Sequence, residues 1–204
     1  MENLTKSELS FLNKLSTPIK IQDYLDGTPF NYEEKGETCM SAVRVIREKK
    51  ADCIEGAFLA ALALMIQGER PRVVNLKVRA DDFDHIITLY KRNGYWGAIS
   101  KTAHAVLRFR DPVYTTVREL VMSYFHEYFL TENGEKTLIG YSRIINLNRF
   151  GDRWIAHYDD VWDIAEEIFD APITKIIPKG SEKYIKDATE LERKVAGITL
   201  AQEV

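Results

Sequence analysis

The chain has 204 residues, of which 45% are apolar and 11% aromatic, enough to bury one sizeable core, and its net charge is −3. That balance, with a pI near 5.9, excludes the basic surface that nucleic acid or anionic lipid would require of a partner. No run approaches the ~18 apolar residues of a membrane span, so no membrane association is expected.

Taken in chain order, Leu4 to Leu15 reads as an amphipathic helix with Phe11, Leu12 and Leu15 inward. Thr17-Pro18 has the cap-then-proline form of a second helix start, running toward Tyr24. Asp26 to Pro29 is a turn. Cys39 to Lys49 reads as a helix, and a second one runs from Cys53 or Ile54 to Ile66. The longest apolar stretch, Ala57 to Ile66, has the length of a buried helix and not of a membrane span, and Gly68 stands where a glycine would close it. The period then changes. Arg72 to Val78, His85 to Tyr90 and Tyr95 to Ile99 are rich in β-formers, and Asn93-Gly94 is a hairpin turn between the last two. Three antiparallel strands are expected. Val113 to Tyr128 reads as a helix, Leu138 to Leu147 as a strand, and Asp159 to Phe169 and Ser181 to Val195 as helices. Helices first and a hairpin-connected sheet next is an α+β order. No repeat or linker divides the chain, so residues 1–204 are expected to form one domain.

Two cysteines, Cys39 and Cys53, do not make a disulfide framework. The N-terminal segment 1–15 carries acids and lacks the apolar centre of a leader, so a cytoplasmic chain with reduced thiols is expected. Cys39 reads as a small buried hydrophobe. Cys53 is different, because it falls at a helix start within Ala51-Asp52-Cys53-Ile54-Glu55-Gly56. Unpaired amides and the helix dipole there favour a thiolate, which predicts a lowered thiol pKa, and the same amides can hold an oxyanion. A nucleophilic thiol also needs a base, and His85 opens a strand a few tens of residues later. No His-x-x-x-His or Cys-x-x-Cys spacing and no glycine-rich phosphate loop is present, so neither a metal nor a cofactor is expected. Glu127, Glu132 and Glu135 read as a solvated loop surface, and Trp96 and Tyr95 as sheet-face aromatics.

This block resembles the transglutaminase-like core of the papain-like cysteine protease superfamily. That pattern sets Gly-x-Cys at a helix start, a Gly-x-Pro-x-Arg turn into a strand, a His opening the next strand, and an aromatic-led strand ending in Asp. Here the corresponding residues are Ala51-Asp52-Cys53, Gly68 to Val74, Asp84-His85 and Trp96 to Ser100. The resemblance covers roughly residues 40–102. It implies a nucleophile helix packed on an antiparallel sheet, flanked by additional helices, and a Cys–His–acid triad working through an acyl-enzyme. Cys53 then takes the nucleophile position and His85 that of the base. The third position falls on Ser100, where the family has Asp; Asp82 and Asp111 are the acids that could serve instead, while Asp84 should point to the face opposite His85. The activity implied is hydrolysis of a peptide or amide bond, with a peptide or protein as substrate. No calcium-loop signature supports a regulated cross-linker. The alternative is a domain that keeps this fold, lacks activity and binds a peptide or protein partner.

Overall fold

A computed structural model of the chain describes residues 4–34 and 36–199. Residues 1–3 of the segment read as lacking a leader, and residues 200–204 of the C-terminal extension, lie outside the described residues.

The chain opens with two capped helices, α1 (Lys6–Lys14) and α2 (Pro18–Asp26). Thr5 and Glu8 form a capping box on the first, and Thr17 with Pro18 starts the second as expected. The third helix, α3, spans only Ala42–Glu48. Residues 39–41 are kept out of it by tertiary partners: Cys39 N–H donates to Asp160 and Met40 N–H to Glu55, while the Ser41 hydroxyl donates to the His157 carbonyl. Helix α4 (Cys53–Ile66) is buried continuously from Ile54 to Leu64, the burial its all-round apolar sequence demands.

Three strands follow, β1 (Arg72–Val78), β2 (His85–Arg92) and β3 (Tyr95–Ser100). They pair antiparallel in sequence order, and the last two are joined through Asn93 (φ 51°) and Gly94 (φ 89°), both left-handed as a tight hairpin turn requires. Strand β4 (Arg110–Tyr114) adds to the β3 edge and precedes the short helix α5 (Val117–Met122). The expected long helix from Val113 to Tyr128 is therefore a strand, a six-residue helix and a run of turns. Pairing claims Tyr114, the Thr116–Glu119 capping box resets the helix start, and Arg110 binds the Ser123 hydroxyl and carbonyl just past the helix end.

The remaining elements are β5 (Leu138–Ser142), β6 (Ile145–Asn146), α6 (Arg153–Ala156), α7 (Trp162–Phe169), β7 (Ile173–Lys175) and α8 (Glu190–Ala196). The span expected as one strand from Leu138 to Leu147 is split in two, and both pieces pair with β1. The helix expected over Ser181 to Val195 is a single 3₁₀ turn and then α8, because Ala188 N–H bonds to the Gly134 carbonyl and Thr189 begins a new cap. Among the described residues these make eight α-helices and one seven-stranded antiparallel sheet of order β4-β3-β2-β1-β5-β7, with β6 beside β1. The class is α+β, with α4 packed on the sheet.

Strand alternation divides the core in two. Val73, Ile86, Tyr90 and Ile99 join α1 to α4, α6 and α7 on one face, where the Thr88 hydroxyl donates to the Ala57 carbonyl of α4 (2.8 Å). Val74, Leu76, Ile87, Leu89 and Ala98 meet Leu107, Leu120, Tyr124 and Tyr128 on the other. No helix among the described residues is long and apolar enough to cross a membrane.

Candidate functional site

Cys53 is the first residue of α4 and half-buried. Asp52 is its N-cap and accepts from the Glu55 amide (2.9 Å), while the Glu55 side chain returns a bond to Asp52 N–H. Glu55 is fully enclosed and takes three further donors: Met40 N–H, the Thr38 hydroxyl and the Asn31 amide. The helix start is thus fixed by a buried carboxylate whose lone pairs are all used.

His85 is the first residue of β2 and 5% exposed. Its alternation partners are Ile87 and Leu89, on the face turned from α4. Ser100 closes β3 on the same face, one register step from His85, since it pairs with Ile87. His85 Nε2 lies 2.7 Å from Ser100 Oγ, and Ser100 Oγ donates to the Leu107 carbonyl at 2.5 Å. A hydroxyl has one proton and a carbonyl can only accept. The Ser100 proton therefore goes to Leu107, Ser100 Oγ accepts from His85 Nε2–H, and Nδ1 keeps the free lone pair.

Cys53 and His85 line one cleft of about 560 Å³, with Phe30, Phe83, Tyr128 and Trp162 among its walls. Among the described residues no hydrogen bond joins Cys53 to His85; the His85 bond is the one to Ser100. Neither of the other two acids considered for His85 is bonded to it among the described residues. Asp82 accepts from the Thr137 hydroxyl (2.5 Å) and from Phe83 N–H, and Asp111 lies exposed on β4. Asp84 points to the opposite side, where it takes Asn75, Lys77 (2.8 Å) and Val78 N–H.

The electrostatics correct one expectation. The Cys53 thiol is not lowered: burial pushes its pKa well up, the Asp52 charge adds to this, and the Ile86 and Ile54 amides offset only part of it. The Asp52 carboxyl is itself raised, by burial and by the Glu55 charge beside it. Burial, helped by the charge of His104, lowers His85 to about 4. The resting pair is a neutral thiol and a neutral imidazole. Such a pair reacts by general-base transfer during attack, not from a standing thiolate.

Several supporting residues carried no signal in the sequence. Gln22 of α2 clamps the Ser100 backbone from both sides, donating to its carbonyl (2.8 Å) and accepting from its N–H (3.0 Å). Leu107 sits in the left-handed region (φ 61°), and its N–H donates to Glu127 Oε2 at 2.8 Å. Glu127 pairs in turn with Arg110 (2.7 Å), so it belongs to this network and not to a solvated surface. Lys101 is buried against the cleft, gives its ammonium protons to the Leu25 and Thr28 carbonyls at the end of α2, and is lowered by burial to about 8. Glycine is required at position 56, where a Cβ would lie 2.4 Å from Lys101 Cβ. That contact brings the end of β3 against the first turn of α4. Cys39 is fully buried, with its thiol pushed up by burial and the surrounding acids. Trp96 lies on the sheet face under Arg72 and Lys91. No group of His, Cys, Asp or Glu able to hold a metal occurs among the described residues. No protein-family model matches the chain, and no curated protein matches it.

Proposed function

We propose that the chain is a thiol-dependent hydrolase of amide or peptide bonds, of the transglutaminase-like, papain-superfamily type. Cys53 is the nucleophile, His85 the general base and Ser100 the group that orients it. The observation that carries this reading is the run His85 Nε2–H to Ser100 Oγ–H to the Leu107 carbonyl, which leaves Nδ1 unprotonated on a ring that lines the same cleft as Cys53.

In the first step the Cys53 proton passes to His85 Nδ1 as sulfur bonds to the substrate carbonyl carbon. The proton then goes from Nδ1 to the leaving nitrogen as the C–N bond breaks. A thioester remains; water, deprotonated by the same Nδ1, bonds to its carbonyl carbon, and the C–S bond breaks as Nδ1–H returns the proton to sulfur, which releases the acid and restores the thiol. When the ring is doubly protonated, Ser100 still accepts from Nε2–H, but it supplies no negative charge to hold the imidazolium. A slower enzyme than one with a carboxylate there is the expected consequence.

The raised thiol and the uncharged third residue favour a second reading, an inactive domain that binds a peptide or protein in the same cleft. Incubation with a library of fluorogenic peptide amides, followed by intact-mass analysis, separates the two. The hydrolase reading expects turnover, an acyl adduct on Cys53, and a loss of about a thousandfold or more in Cys53→Ala and His85→Ala. Turnover that survives Cys53→Ala overturns it.

A further inference from the structure

The wall of the cleft formed by residues 102–104 runs into a stretch of backbone that already carries an isolated antiparallel bridge. Ala105 N–H donates to the Ile198 carbonyl (3.0 Å), and His104 and Thr199 form an antiparallel bridge. The His104 ring lies 3.3 Å from the Ala196 carbonyl, which can only accept, so Nδ1–H donates to it. His104 lines both the Cys53 cleft and an adjoining cavity of about 550 Å³, and Ala196 lines the second. The two cavities also share Asp82, Phe83, Leu107 and Tyr128, so they adjoin along this wall.

What fastens residues 198–199 here is main chain. The Ile198 side chain is 49% exposed, so little apolar burial holds it down. The anchoring comes earlier: Arg193 donates to the Glu132 carbonyl (2.7 Å), and Ala188 is bonded to Gly134. Past α8, Ile198 and Thr199 are attached through main-chain bonding to His104 and Ala105, and such bonding recognises a strand and not a sequence. The paired edge leads in two residues to Leu107, whose carbonyl holds the Ser100 proton.

We propose that the backbone at His104–Ala105 is a docking edge for an extended peptide, and that Ile198 and Thr199 of this chain occupy it as an intramolecular competitor. This inference rests on the hydrolase reading for its consequence, which is that the substrate is an extended polypeptide laid along the wall carrying Ser100 and Leu107. The tether gives the segment a high effective concentration but adds little intrinsic affinity, so an incoming strand can displace it.

The test separates binding from chemistry by using Cys53→Ala chains, either full-length or ending after Gly197, which retains α8 and its anchors. A fluorescein-labelled peptide of residues 195–204 is titrated by anisotropy. The shortened chain should bind it saturably, and at least about tenfold more tightly than the full-length chain, in which the tethered segment competes. Ala105→Pro, which removes the donor to Ile198, should abolish binding, and His104→Ala at an exposed position should weaken it. No saturable binding by a shortened chain with unchanged circular dichroism, or equal binding by both chains, overturns the proposal. Peptide binding together with a complete absence of turnover in the shortened chain bearing Cys53 keeps the docking edge and removes the hydrolase reading.

Discussion

Ser100 has one proton and two claims on its oxygen, and both are met: His85 donates to it and Leu107 accepts from it. Ser100→Ala leaves a buried ring N–H and a buried carbonyl without partners, which costs about 1–3 kcal/mol for each group that stays dry. The expected result is a lower denaturation midpoint and loss of the preference for the Nε2–H tautomer in imidazole ¹⁵N spectra; unchanged spectra would count against the assignment. His85 adds a pH dependence of defined sign. Its folded pKa is lowered from 6.5 to about 4, so below 6.5 the unfolded ring takes a proton that the buried ring refuses. Stability is therefore lost as pH falls through that window. Urea unfolding between these limits should show a shallower acid slope in His85→Asn than in the native chain.

At the scale of elements, the start of α4 holds the site by a cap and a close approach. Asp52 caps the helix, yet its carboxyl is raised by burial and by Glu55. A raised acid contributes stability below its unfolded pKa and loses it as pH climbs through the folded one. Asp52→Asn keeps a good cap without that titration. Between about pH 5 and pH 9 its urea midpoint should fall less than that of the native chain. Gly56→Ala gains about 1 kcal/mol of helix propensity but drives a methyl into Lys101, at a cost of about 1–3 kcal/mol. A net loss of stability is expected, with a changed His85 resonance because the end of β3 must move. The sequence made α4 and the hairpin β1-β2-β3 legible, because all-round apolarity, period-two strands and Asn-Gly are local signals. β4 and β7 were not legible: each is defined by the edge it pairs with, β3 and β5 respectively. Gln22 was hidden for the same reason. It acts on a residue 78 positions away, and nothing in its surroundings marks it.

At the scale of the whole molecule, the sheet separates two apolar layers, and the two cysteines report on different events. Cys39 is wholly enclosed in the layer containing α4, whereas Cys53 opens on the cleft. Iodoacetamide should modify Cys53 in the native chain, slowly because the thiol is raised, and Cys39 only as fast as the fold opens globally. Mass mapping against urea concentration measures both. If Cys39 reacts with Cys53 in the absence of urea, the enclosed layer is less well packed than described.

The left-handed backbone at Leu107 has a bearing on how such sites can be traced among other chains. The atom that gives Ser100 its acceptor role is a main-chain oxygen, which every amino acid carries. What must be kept at position 107 is a conformation, while the side chain is free to drift so long as it fills its place in the core. A pattern written in residue letters would pass over this position, whereas a comparison of backbone torsions beside the His–Ser pair would find it.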